Sequence, residues 1–369
     1  MRVLVAHNVP RARNGGMSRI MGFIHDEIER RGATVDWLCN EDVPPAFNNR
    51  WQRFAFPWLV LERARAAART GMPYDIVNVH EPSGAAITLL KRWAGGPRVA
   101  ATSHGLERRG WREQLRDGIP LRTRLLYPAT SLWQSDLTDR FADHVFCLNH
   151  EDRDFLIREC RRAPDTVTRI FPAAAPVYSL AASSRDYSRF RTLLFAGTWI
   201  ARKGIEETAA AFTRVAGGLP DLRLVVLGGF FPLETIRSSF PQSVRARVGA
   251  IQAADDAGNA AAYAAADAML LPSRFEGTPL TLIEAMASGL PVITTSTCGM
   301  KDVIENGTNG LLVPVRSPEA IAGAILRLAA DQNLRRRLGR RAHVDAATRY
   351  TWKESAEVVD RVYRALARR

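Results

Sequence analysis

Apolar residues in this chain come in short runs, each followed by a stretch in which they recur at helical spacing. Arg2–Asn8, RVLVAHN, is a compact run, and Met17, Ile20, Met21, Ile24 and Ile28 then repeat with a helical period up to Gly32. The alternation continues through expected strands at Thr34–Leu38, Asp75–His80, Arg98–His104, His144–Leu148 and Val167–Phe171, with a helix expected from Ser83. A second series opens with a strand at Thr192–Ala196 and a helix reaching Gly217-Gly218. It then places strands at Leu222–Leu227, Arg247–Ile251, Ala268–Leu271, Val292–Thr295 and Leu311–Val313. Strands interleaved with helices mean a parallel sheet covered on both faces, so the chain reads as α/β with two such sheets. The stretch Ala173–Arg189, with Pro176 and a Ser/Ala/Arg run, reads as the linker. The last helix, Thr351–Ala367, carries Trp352, Val358, Val359, Val362, Tyr363 and Leu366 at helical spacing. The expected domains are residues 1–175 and 190–350, with 351–369 as a terminal helix.

The most informative stretch is Glu276–Val292, EGTPLTLIEAMASGLPV. Thr278 suits an N-cap and Pro279 the first helical position, followed by the helix formers Leu280 to Ser288. Gly289 has the character of a C′ residue, and Pro291 blocks continuation. The amide groups of Gly277, Thr278, Leu280 and Thr281 then open onto one spot, which the helix dipole makes attractive to anions. Glu276 sits at its rim, and Glu284 lies roughly 9 Å further along at 1.5 Å per residue. Two carboxylates so placed suit two ends of an extended polar ligand. Surface helices often carry glutamates at this spacing, so the pair alone is weak.

Two further loops have the look of anion sites. After the strand at Thr192–Ala196 comes GTWIARKG, a glycine and two cations ahead of a helix, with Thr198, Arg202 and Lys203 in play. After the first strand comes Asn14-Gly15-Gly16, a glycine pair before a helix, although no G-x-G-x-x-G dinucleotide fingerprint is present. Ligands of parallel sheets bind at the carboxyl ends of strands. His80 and His104 stand at two such ends, with Glu81 directly after the first.

Two segments break the alternation. Asn48–Thr70 mixes Trp51, Phe54, Phe56, Trp58 and Leu59 with arginines, and Glu107–Arg124 sets Trp111 among arginines. Basic residues interleaved with aromatics suit a membrane interface or an acceptor cleft; helices whose arginines lie over a core are the plainer reading.

Composition narrows the class. The 369 residues are 46% hydrophobic and 24% charged, ordinary for a globular protein, and no apolar run reaches bilayer length. The first residues are too short an apolar stretch for a signal peptide, and the four scattered cysteines have no metal-type spacing, which fits a cytosolic protein. The net charge of +13 is spread over both halves, which argues against a nucleic-acid arm and fits anionic substrates or an anionic membrane surface. An arginine-rich composition without functional meaning explains it equally well. Asp152-Arg153-Asp154 spells D-x-D, a metal motif elsewhere, but its charged helical context suggests a solvated face.

Glu276, seven residues, Glu284, then Ala-Met-Ala-x-Gly-x-Pro-Val resembles the donor-site motif of the family-four retaining glycosyltransferases, which have the GT-B fold. The likeness spans nearly the whole chain and is strongest from Thr192 to Pro314. It implies two Rossmann-like domains facing each other across a deep cleft, with the terminal helix crossing back to the first. It also implies a nucleotide diphosphate sugar, UDP- or GDP-linked, in the second domain and a glycan, lipid-linked or small-molecule acceptor in the first. The implied reaction is metal-independent hexosyl transfer with retention and no cofactor. By this resemblance Glu276 contacts the transferred sugar and Glu284 the ribose hydroxyls. Gly15 and Gly16 approach the donor phosphates. His104 of T-S-H-G reaches the donor sugar, and His80, Glu81 and Trp111 lie on the acceptor side. Lys203 holds the diphosphate. The family's arginine is replaced by Thr198, with Arg202 as the substitute. Gly228, Gly249 and Ile251 cradle the base, and Gly277, Thr278, Pro279 and Leu280 meet the donor. Where the family often has Phe-Gly-Leu the chain has Thr278-Pro279-Leu280, which removes one amide. Pro-Asn-Gly-Val-Asp is absent near the linker, and Gly299-Met300-Lys301-Asp302 replaces a Gly-Gly-x-x-Glu. An epimerase of the same fold and a non-catalytic nucleotide-sugar-binding relative are the alternatives.

Overall fold

The structure, a computed structural model, describes residues 1–13, 15–47, 52–94, 96–252 and 255–368. Asn14 and Trp51, singled out above, lie outside them. The chain divides into two compact units, Met1–Phe171 with Trp352–Arg369, and Pro172–Thr351.

The first unit holds β1 (Arg2–Ala6), β2 (Thr34–Leu38), β3 (Ile76–His80), β4 (Arg98–Thr102), β5 (His144–Cys147) and β6 (Val167–Arg169). They form one sheet in the order β2-β1-β3-β4-β5-β6 with every pairing parallel. The second holds β7 (Thr192–Ala196), β8 (Arg223–Leu227), β9 (Val248–Ile251), β10 (Ala268–Leu271), β11 (Val292–Thr295) and β12 (Leu311–Val313). Their order is β12-β11-β10-β7-β8-β9, again all parallel. Helices on both faces leave the central strands without a polar side, which is why they read as unbroken apolar runs. Val3, Leu4, Val5, Leu193, Phe195, Leu270 and Leu271 are fully buried.

Several strands stop short of their sequence limits. β4 ends at Thr102, so His104 stands on the following loop, and β1 ends at Ala6. Register sets the strand ends side by side: His80 pairs with Thr102, Ala196 with Leu227, and Leu227 with Ile251.

The expected linker is part of the second unit. Tyr178 is buried with its ring edge-on to Tyr263 at 5.4 Å. Arg185 donates to the carbonyls of Ser288, Ala266 and Tyr263 at 2.7, 2.7 and 2.9 Å. A guanidinium with five donors satisfies several helix-end carbonyls at once, which a composition-based reading does not detect.

The terminal helix Trp352–Ala367 belongs to the first unit. Trp352 stacks on Phe23 at 5.1 Å, and Ser355 Oγ donates to the Phe171 carbonyl at 2.6 Å. The Tyr363 hydroxyl, fully buried, receives a bond from Asn78 Nδ2 and lies 3.1 Å from His25 Nε2.

Candidate functional site

In the second unit the carboxyl ends of β7 and β8 each continue into a left-handed glycine, Gly197 at φ 137° and Gly228 at φ 67°. Gly197 lets the Lys203 side chain pass at van der Waals distance: a Cβ there would stand 3.5 Å from Lys203 Cε and 3.6 Å from Nζ. Thr198 occupies the turn between them, and its carbonyl accepts from Ile200 at 3.0 Å. Trp199 is core, stacked on Phe240 and edge-on to Phe195. Gly204, at φ 75°, closes the loop; a Cβ there would overlap the Pro272 carbonyl, so only glycine fits.

This loop delivers its cations to one carboxylate. Lys203 Nζ lies 2.6 Å from Glu276 Oε1, and Arg202 Nη1 lies 3.2 Å from Oε2 while donating to the Phe275 carbonyl at 2.7 Å. Burial pushes the Glu276 carboxyl up, but Lys203 and Arg202, with hydrogen bonds from Lys203 and Ser273, outweigh it and hold it at about 2. Arg202 thus brings a guanidinium to the same carboxylate as Lys203. Arg274 is engaged elsewhere, with Glu207 at 2.8 Å and Glu206 at 2.9 Å.

The helix after Glu276 spans Leu280–Ala287, and its N-cap is Pro279, in extended conformation, rather than Thr278. Proline caps through backbone geometry alone, and Thr278 is used differently. Gly277 accepts at its carbonyl from the Gly299 amide at 2.8 Å, and a Cβ on Gly299 would overlap Thr278 Oγ1 and the Gly277 carbonyl. Gly299 therefore fixes the loop by lacking a side chain. At the other end Gly289 takes φ 70°, as a C′ glycine does, and its carbonyl accepts from Tyr187 Oη at 2.9 Å. Glu284 is buried, and its Oε2 accepts from Tyr263 Oη at 2.9 Å. Gly249 lies within β9, and Ile251 is exposed at that strand's end. Phe230, in left-handed backbone at φ 58°, is exposed just past Gly228.

In the first unit the ends of β3 and β4 bring two imidazoles together. His80 Nδ1 and His104 Nε2 are 2.9 Å apart, with the rings stacked at 5.0 Å. Burial, first of all, lowers both, with His104 brought to about 4 and His80 well below its ordinary value, where the neighbouring His104 adds to the effect. Both rings are therefore neutral near pH 7, one donating to the other. His80 Nε2 and His104 Nδ1 are buried with no hydrogen-bond partner among the described residues. The two histidines expected on separate ligands form one pair. His7 stands edge-on to His80 at 6.4 Å and meets Cys39 Sγ at 3.3 Å.

Glu81 turns inward beside Asp139. Burial raises its carboxyl well above the ordinary value, and the Asp139 charge adds to this. Gly15 is the N-cap of the helix Gly16–Arg30 at φ −109°, ψ 153°, a conformation open to any residue, and a Cβ on Gly16 would meet nothing within 4 Å. Nothing within the described chain requires glycine there. Trp111 is buried and stacked on Tyr127 at 4.9 Å, so it packs its own helix Glu107–Arg116 in place. Asp152 contradicts the solvated-face expectation: it is fully buried and paired with Arg109, while Asp154 is exposed. Arg109 stands more than forty residues earlier, beyond the reach of local charge patterning.

Comparisons with known proteins bear on this site. The model of glycosyl transferases group 1 matches residues 180–345, and that of Glycosyltransferase Family 4 matches residues 14–174. Phosphatidyl-myo-inositol mannosyltransferase of Mycobacterium leprae is 28% identical over 329 residues, 88% of this chain and 82% of that protein. Among solved structures, sucrose-phosphate synthase of Thermosynechococcus elongatus aligns with a TM-score of 0.79 at 19% identity, over 99% of this chain and 98% of that one. Anabaena HepE in complex with UDP-glucose aligns at 0.71 and 15% identity, over 99% of this chain and 100% of its own. With two successive family models along its length, two parallel six-stranded sheets and this likeness to GT-B structures, the chain belongs to the group 1 glycosyltransferases of family-four type and is a glycosyltransferase on the GT-B fold.

Proposed function

We propose that this enzyme moves a hexosyl-type sugar from a UDP- or GDP-linked donor to a hydroxyl of a glycan, lipid-linked or small-molecule acceptor, with retention and without a divalent metal. The observation that carries the reading is the ion cluster of Lys203, Arg202 and Glu276 beside the start of the helix Leu280–Ala287. As the bond to the sugar breaks, negative charge grows on the departing diphosphate. Two fixed cations and a helix N-terminus are the groups that stabilise it. Glu276 balances those cations before the donor arrives and faces the sugar once the diphosphate takes them. Glu284, held by Tyr263, receives the ribose hydroxyls, and Gly228, Gly249 and Ile251 face the base. The neutral His80–His104 pair offers two partnerless ring nitrogens to sugar hydroxyls, with Glu81 on the acceptor side, and Gly15 and Gly16 give a ligand room to approach. The names of the relatives make a mannosyl donor with an inositol-type acceptor the first pair to test.

Among the described residues no helix is long and apolar enough to cross a membrane. The helix Leu121–Tyr127 nevertheless exposes Leu121, Leu125 and Leu126 beside Arg122 and Arg124, a face suited to an anionic lipid surface.

The test is a thermal-shift panel of UDP, GDP, ADP and dTDP, followed by transfer assays with the matching sugars and NMR of the product anomer. One nucleotide should raise the melting temperature, Arg202→Ala should weaken the diphosphate and not the nucleoside, and EDTA should leave transfer intact. Stabilisation by none of them would end the donor reading. Altered sugar released without acceptor would point to an epimerase.

A further inference from the structure

At the opposite edge of the first unit's sheet lies a concavity of about 880 Å³, bordered by the turns that enter β4, β5 and β6. The histidine pair stands at the carboxyl ends of these strands. A five-residue strand separates the two edges by roughly 16 Å at 3.3 Å per residue. The concavity therefore takes no part in the site described above.

Its walls are cationic. Lys91, Arg98, Arg140, Arg161 and Arg162 line it, against the single carboxylate of Asp143. That carboxylate is already engaged: it pairs with Lys91, accepts from the Val99 amide at 2.6 Å, and has Arg98 at 3.7 Å. Arg140 and Arg161 have no ion-pair partner among the described residues, and both are exposed. Arg161 holds left-handed backbone at φ 55°, a conformation that glycine adopts freely and that costs an arginine.

Arg162 forms the floor. It is only 8% exposed and donates to the carbonyls of Asp139 at 2.6 Å and Ala142 at 3.0 Å, tying the turns together. Its Nε is buried without a hydrogen-bond partner among the described residues. A rigid, concave, strongly positive surface with an unsatisfied buried donor is what a multiply charged oxyanion requires.

We propose that this concavity binds a phosphate-type group carrying two or more negative charges, either on a soluble polyphosphate or on an anionic lipid headgroup. Arg140 and Arg161 supply the contacts that the fold leaves uncommitted, and Arg162 closes the site from below.

Cys160 lines the same concavity and is half-buried, whereas Cys39, Cys147 and Cys298 are buried, so its thiol is a local reporter. The experiment follows modification of Cys160 by an uncharged maleimide with sodium tripolyphosphate present, with sodium chloride at matched ionic strength as control. Parallel arms use vesicles of phosphatidylcholine alone and of phosphatidylcholine with phosphatidic acid, whose phosphomonoester headgroup can carry two negative charges. The intact chain is compared with the double variant Arg140→Gln, Arg161→Gly, whose melting temperature verifies folding; glycine suits the left-handed turn. Tripolyphosphate should slow modification at least fivefold in the intact chain, and the double variant should lose that protection. Protection by anionic vesicles alone, also lost in the variant, assigns the site to a headgroup. Protection from neither source, equal protection by sodium chloride, or protection that survives in the variant would overturn the proposal.

Discussion

Glu276→Gln isolates the electrostatics of the donor-side cluster. In the folded chain burial raises this carboxyl, and Lys203 and Arg202 more than reverse that, leaving it at about 2 against 4.5 for the free side chain. A carboxyl depressed in this way stabilises the fold fully above 4.5 and ceases to do so as pH falls through about 2. With roughly 1.4 kcal/mol for each tenfold change in proton affinity, the contribution near neutral pH is about 3 kcal/mol. Glutamine keeps the shape and loses the charge, so the two cations face each other uncompensated. Urea denaturation at about pH 7, 5 and 3, with hydrogen exchange of peptides from Leu280–Ala287, should show the variant less stable by that amount at neutral pH. The gap should narrow towards the most acidic condition. A variant as stable as the parent at neutral pH, or a gap that does not change with pH, would refute the reasoning. The same variant should bind a nucleoside diphosphate more tightly, because no carboxylate competes for Lys203, while transfer falls by about a hundredfold or more.

Gly299→Ala puts a methyl group into Thr278 and Gly277, so donor affinity should fall at least tenfold; unchanged affinity by thermal shift would show the loop to be soft. Because burial keeps His104 neutral down to about 4, the acid limb of the pH–rate profile should lie well below the 6.5 of a free imidazole. Such a histidine weakens the fold as pH drops from 6.5 towards 4, since the unfolded chain takes up the proton first, and His104→Gln should flatten that decline in denaturation curves. Leu121→Ser with Leu125→Ser should abolish sedimentation with phosphatidylglycerol vesicles and leave soluble-acceptor transfer unchanged; equal sedimentation would remove the lipid-facing reading.

The strands were legible because parallel strands buried on both faces carry unmistakable apolar runs, and all twelve lie within a residue or two of their sequence limits. Motif spacing also singles out Lys203 and Glu276, which the fold brings together as an ion pair. What escaped was long-range. Tyr263 is twenty-one residues from Glu284 on another helix, and nothing local announces their bond. Thr278 has the chemistry of a cap, yet packing on Gly299 claims it and the backbone of Pro279 takes the cap. Asp152 belongs to a charged run, and it tolerates burial through Arg109, far away in sequence, together with Asn149.

The helix Trp352–Ala367 has a consequence for synthesis. Pro172–Thr351 is one uninterrupted segment and has every residue it needs once Thr351 has been added. Met1–Phe171 leaves the ribosome ahead of that segment, yet Asn78 and His25 must wait for the Tyr363 hydroxyl until the whole of that segment has been added. Of the two units, the one begun earlier is thus the one completed later.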